Sequence, residues 1–137
     1  FYGRLYGVPD RGAAVARALE AVRLSDRAGD LVGTFSRGMV QRMAIARALL
    51  HEPRVVLLDE PFSGLDQRAA AALRDLLMRL RAERRTMVLV THNMEEGLEL
   101  ATQVAIQVGG RFAECGPVSG DLATYRSRYA EATAVRG

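Results

Sequence analysis

Arg-Val-Val-Leu-Leu-Asp, residues 54–59, leaves few folds open, because it is a short unbroken run of β-branched and leucine side chains closed by an acid. Such a run predicts a parallel strand covered on both faces, since a strand with one wet face alternates apolar and polar residues. Pro61 and Gly64 end the run. Leu73, Leu76, Leu77 and Leu80 then recur at helical spacings of three and four between Asp66 and Glu83. Thr86 to Thr91 repeats the apolar strand pattern. Strand, helix and strand in this order require a right-handed crossover, so the class is α/β with a parallel sheet.

The remaining punctuation divides the chain into residues 1–50, helical in texture, and residues 51–137, where strands and helices alternate. In the first stretch Ala14, Ala18 and Val22 share one helix face, and a loop with Gly29, Asp30 and Gly33 leads to a second helix that Ser36 can cap. In the second, Asn93 can cap a short helix reaching about Ala101, with Glu96 in the capping-box place. Val104 to Val108 and Arg111 to Cys115 read as an antiparallel edge joined by Gly109-Gly110, and Asp121 to Ala134 as a last helix.

Composition narrows the function classes. With 137 residues, 49% of them hydrophobic and 26% charged, the chain is one ordinary domain or a piece of one, and disorder is excluded. No apolar run approaches the ~20 residues of a membrane helix, and no charged-then-apolar leader opens the chain. Cys115 is the single cysteine, which excludes an internal disulfide and fits a reducing compartment. The charge of +3 is too small to define a nucleic-acid surface, and all 19 basic residues are arginine. The densest cluster, Arg79, Arg81, Arg84 and Arg85, falls at a predicted helix end, where cations complement the dipole. The chain opens at Phe1, without Met and inside an amphipathic pattern, so a fragment of a longer protein is expected.

Ligands of an open parallel sheet sit beyond the carboxyl ends of its strands. The first strand ends in Asp59-Glu60 and the second in Thr91-His92, so two carboxylates, a hydroxyl and an imidazole are expected on one edge. An acid closing a buried strand suits a magnesium ion held through water, and a neighbouring glutamate suits a base for an attacking water. Phe35-Ser36-Arg37-Gly38-Met39 opens the second helix as a candidate anion site, with Gly38 allowing close approach to the backbone.

Phe35 to Leu49, Leu57-Leu58-Asp59-Glu60-Pro61, Ser63-Gly64-Leu65-Asp66 and Val90-Thr91-His92 together resemble the ATPase subunit of ATP-binding cassette (ABC) transporters. They match that family's signature motif, Walker B segment, D-loop and switch histidine, in order and at the usual spacings. Phe1 to Gly7 is similar to the opening of the family's helical subdomain. Arg37 stands where the commonest signature has its first glycine, and Met39 where it has glutamine. No Gly-x-x-x-x-Gly-Lys-Ser/Thr loop occurs, because the chain has no lysine. The resemblance therefore implies the C-terminal part of a cassette: residues 1–50 as helical subdomain with the signature motif, and residues 51–137 as part of a P-loop NTPase (RecA-like) parallel-sheet core. In that core the P-loop strand would lie between the strand ending at Thr91 and the strand 104–108. Residues 54–59 and 86–91 would pair in parallel, and 104–108 with 111–115.

Carried over residue by residue, the resemblance implies that Asp59 supports Mg²⁺ through water, that Glu60 orients or deprotonates the attacking water, and that His92 senses the γ-phosphate of ATP. Ser36, Arg37, Gly38 and Met39 would face the γ-phosphate held by a second ATPase subunit in a head-to-tail dimer, and Asp66 would lie across that interface. Integral-membrane permease subunits would be the other partners, with no nucleic acid, at the cytoplasmic face of the membrane. The expected activity is ATP hydrolysis coupled to transport, with this stretch alone inactive. The Ser-Arg-Gly-Met form, with Thr-His-Asn-Met-Glu-Glu-Gly after the strand, is similar to cassettes of haem and multidrug exporters, which implies export. A soluble cassette ATPase acting on DNA or ribosomes, and a docking module without a P-loop, are the alternatives.

Overall fold

In the computed structural model, which describes residues 1–134, the local signals of the sequence recur as elements of two compact units, Phe1–Leu89 and the segment from Val90 onward. The first unit opens with α1 (Tyr2–Leu5) and α2 (Arg11–Ala21), the latter capped by Asp10, whose carboxylate accepts the Ala13 amide at 3.3 Å. Two short 3₁₀ turns, Ser25–Arg27 and Val32–Thr34, lead to α3 (Arg37–Leu49). Strand β1 (Val55–Asp59), helix α4 (Gln67–Ala82) and strand β2 (Thr86–Val90) complete the crossover, with the last residue of β2 at the start of the second unit. The Thr86 amide donates to the Arg54 carbonyl at 3.0 Å, so β2 begins beside the beginning of β1. The two strands run parallel, as a helical connection between them requires.

The core of this unit follows from spacing. Leu73, Leu76, Leu77 and Leu80 are all buried and form the inner face of α4, each contributing roughly 1.5–3 kcal/mol by leaving water. Ala14, Leu19, Ile45, Ala46 and Leu49 bury the inner faces of α2 and α3. β1 departs from expectation: Val56 and Leu58 are buried, but Val55 is 54% and Leu57 74% exposed. A strand turns alternate side chains to opposite faces. Among the described residues only the face of Val56 and Leu58 is covered, so the apolar run is buried on one side rather than two.

The second unit holds α5 (Met94–Leu100), β3 (Gln103–Val108), β4 (Arg111–Pro117) and α6 (Leu122–Ala134). β3 and β4 pair antiparallel from Gln103↔Pro117 to Val108↔Arg111. Gly109 and Gly110 turn between them at φ +56° and +76°, the positive values a two-residue hairpin needs. The register jumps from Ile106↔Glu114 to Gln107↔Phe112, which leaves Ala113 as an extra residue in β4, a bulge. α6 is tied to β4 by the ion pair of Arg128 with Glu114 at 2.6 Å, and the buried Tyr125 hydroxyl accepts the Ser119 amide at 2.9 Å. Both strand pairings expected from the sequence are present, as two two-stranded sheets. The end of the expected segment 51–137 lies outside the described residues.

Candidate functional site

Asp59 is the last residue of β1 and shares the open face of Val55 and Leu57, so its carboxylate is exposed. Glu60 leaves the strand through the left-handed region at φ +44°. That conformation costs a non-glycine residue about 1–3 kcal/mol and survives where the surroundings enforce it. The enforcement is visible. Pro61 is fully buried, Phe62 is 6% exposed, and the Ser63 amide closes a turn on the Glu60 carbonyl at 3.0 Å. Glu60 itself is half-buried. The two acids therefore stand on different backbone, Asp59 on the strand face and Glu60 on the turn.

The next turn carries Ser63 to Asp66. The Leu65 amide donates to the Phe62 carbonyl at 3.1 Å, and Gly64 sits at φ +67°. Asp66 has the cap position of α4 and accepts the Ala69 amide at 2.7 Å. Ser36 caps α3 in the same manner, accepting the Met39 amide at 3.3 Å. Gly38 is buried, and a Cβ there would stand 2.7 Å from the Ala69 Cβ and 3.8 Å from Leu65 Cδ2. Its lack of a side chain thus serves the close packing of α3 on α4. Arg37 is exposed, with its guanidinium against Gly64, and Met39 is half-buried. Arg42 escaped the sequence reading of the site. Its guanidinium donates to the carbonyls of Gly38 at 3.4 Å, Val22 at 3.0 Å and Arg23 at 3.4 Å, which ties the start of α3 to the end of α2. Nothing local marks such a reach.

The arginines around the end of α4 have structural partners: Arg79 donates to the Ala21 carbonyl at 2.8 Å, and Arg85 to Glu83 at 3.1 Å and to the Pro53 carbonyl at 3.2 Å. A helix end braced on its neighbours is what the cluster forms.

In the second unit Thr91 and Asn93 frame His92. The Asn93 amide donates to the Thr91 hydroxyl at 3.0 Å, and the Asn93 side chain caps α5 by accepting the Glu96 amide at 3.4 Å. A Cβ on Gly97 would stand 3.2 Å from Thr91 Cγ2, so the helix closes tightly on this loop. His92 is exposed and lines an open hollow of about 390 Å³ with Asn93, Met94 and Arg126. Asp59 and Glu60 belong to the first unit and His92 to the second.

Among the described residues no three His, Cys, Asp or Glu side chains gather into a metal cage. A lone exposed carboxylate such as Asp59 fits magnesium all the same, since that ion keeps much of its water and takes one or two carboxylates with substrate phosphates. Among the described residues no helix is long and apolar enough to cross a membrane.

A family model described as ABC transporter matches residues 8–63. A fluoroquinolones export ATP-binding protein of Mycobacterium tuberculosis is 41% identical over 111 residues, 81% of this chain and 36% of that protein. An aliphatic sulfonates import ATP-binding protein of Bacillus licheniformis is 44% identical over 117 residues, 83% of this chain and 45% of that protein. The chain thus spans between about a third and a half of these relatives' length. Among solved structures, a nucleotide-free ATP-binding cassette from an ABC transporter superposes with a TM-score of 0.79 at 19% identity, over 93% of this chain and 49% of that one. A cassette in its ADP conformation does so with 0.76 at 20% identity, over the same shares. At that identity the likeness is one of fold, that of the P-loop NTPase cassettes.

Proposed function

The chain carries part of an ABC transporter ATPase, and from that premise we propose that it supplies the hydrolytic acids and the partner-facing signature segment of a cassette that hydrolyses ATP to drive export. The observation that carries this is the strained, anchored turn that holds Glu60 directly after Asp59 at the end of β1. Two adjacent acids on different backbone, one on the strand and one on the turn, suit two tasks. Asp59 is the group that would hold a magnesium ion through water, and the ion would supply charge for the β- and γ-phosphates. Glu60 accepts the proton of the attacking water as the new oxygen–phosphorus bond forms and the bond to the departing ADP breaks. His92 donates a hydrogen bond to the γ-phosphate.

Ser36 keeps its hydroxyl hydrogen while its oxygen accepts the Met39 amide, so it can donate to the γ-phosphate of ATP held by a second subunit. The first turn of α3 adds the amides of Arg37 and Gly38 at a helix N-terminus. Residues 1–50 are the helical subdomain and residues 51–137 the C-terminal part of the core, in a head-to-tail dimer beneath permease subunits at the cytoplasmic face of the membrane. With no lysine for a P-loop, this stretch alone holds nucleotide more weakly than millimolar, and calorimetry with Mg-ATP gives no saturable heat. Import is the second reading, favoured by the 44% identity to the sulfonates import protein. A neighbouring gene for a periplasmic binding protein would support it over export.

The deciding experiment is Glu60→Gln in the complete polypeptide that contains these residues. Shape and hydrogen bonding persist while the base is lost, so hydrolysis falls by about 10²–10⁴-fold with ATP binding retained. Hydrolysis at the unmutated rate sinks the assignment.

A further inference from the structure

The first turn of α3 and the turn before α4 interlock through a side chain that no capping or strand signal calls for. Gly64, at φ +67°, is the third residue of the turn from Phe62 to Leu65, a place that favours glycine by conformation alone. A second constraint comes through space. A Cβ added to Gly64 would fall on Cζ and Nη1 of Arg37 and 2.7 Å from its Nη2. The guanidinium thus fills the space a side chain at position 64 would need. Close by, Gly38 packs on Ala69 and Leu65 with no room for a Cβ. Residues 36–39 and 63–69 are therefore in contact at two successive positions of α3. The chain has arginine, where the commonest signature has glycine, at the one of these positions whose side chain reaches the turn.

We propose that Arg37 is a positioning residue that seats the signature turn on the Ser63–Asp66 turn, so that the two segments assigned above to the partner-facing surface move as one body. The proposal rests on that assignment for its functional consequence, and on the geometry alone for the contact. The Arg37 side chain then acts on hydrolysis through Asp66 and Ser36, and touches no phosphate itself.

Two measurements test it. In this chain, the denaturation equilibrium of Gly64→Ala is compared in the Arg37 and the Arg37→Ala backgrounds. The positive φ strains the substituted alanine equally in both, so the difference isolates the guanidinium. Gly64→Ala should raise the unfolding constant less in the Arg37→Ala background, since the guanidinium no longer has to give way to the new Cβ. Equal factors overturn the contact. In the complete polypeptide, steady-state ATP hydrolysis is measured for Arg37→Ala and Arg37→Lys, with Glu60→Gln as control. Positioning predicts a lower kcat at unchanged KM for ATP in both variants, because lysine keeps the charge but not the planar fork. A raised KM that lysine rescues overturns the proposal in favour of a phosphate contact, and unchanged kinetics overturn it outright. If Glu60→Gln itself hydrolyses ATP normally, the assignment of Glu60 as the base fails, and the stability comparison still decides the contact.

Discussion

Beyond β1 the chain turns through a strained Glu60 whose next two residues, Pro61 and Phe62, are buried, whereas beyond β2 it passes through a half-buried Thr91 and an exposed His92 and Asn93 held by their hydrogen bonds. The first arrangement uses packing to hold a residue in a conformation it would not choose. The second uses polar contacts to hold a residue in the open. Packing against a core is rigid and insensitive to pH, while exposed hydrogen bonds compete with water and are worth about 1 kcal/mol each. The base proposed at Glu60 and the sensor proposed at His92 would be served by these different supports.

The largest expected effect would break the packed side of the comparison. Phe62→Ala removes the anchor of the Glu60 turn and should lower stability by about 3–5 kcal/mol, read from denaturant unfolding of this chain. A loss below about 1 kcal/mol would mean that the turn holds itself. Next is the polar side: Asn93→Ala removes the cap of α5 and should cost about 0.5–2 kcal/mol, with Asn93→Asp restoring most of it. Smaller and opposite in sign, Glu60→Gly should relieve the left-handed strain and stabilise the chain by up to about 1 kcal/mol, after the added freedom of its unfolded state. The same change should abolish hydrolysis in the complete polypeptide, separating stability from activity at one position.

The smallest effect sharpens the contrast in pH. Asp121 holds the start of α6 as Asn93 holds α5, and bonds from the Thr124 hydroxyl and amide keep its carboxyl below the usual carboxylate range. A depressed folded value means that the support is complete above the ordinary carboxylate pKa and is lost as pH falls through the lower folded one. The protection of the Thr124 amide from exchange, taken relative to the intrinsic rate at each pH, should therefore fall on acidification before that of the leucine face of α4 changes. Simultaneous loss at both places would show that the cap has no separate titration.

Much of this molecule was legible because its signals are local. Period, length and turn chemistry marked β1, α4, β2 and the Gly109-Gly110 hairpin. Ser36, Asp66 and Asn93 each cap the helix that follows, because a cap needs only a side-chain oxygen within three residues of a free amide. The order of the acids, the glycine turn and the histidine was likewise a property of the chain alone. What tertiary structure decided are the approaches between segments distant in sequence. Gly38 meets Ala69, Arg37 covers Gly64, and Arg42 reaches Val22 and Arg23. The open face of Val55 and Leu57 belongs with them. A strand's pattern states which side chains alternate but not which face is covered, and a glycine's place in a motif does not name the helix that packs on it. Each depends on what arrives from elsewhere in the chain, and that is settled only when the elements pack.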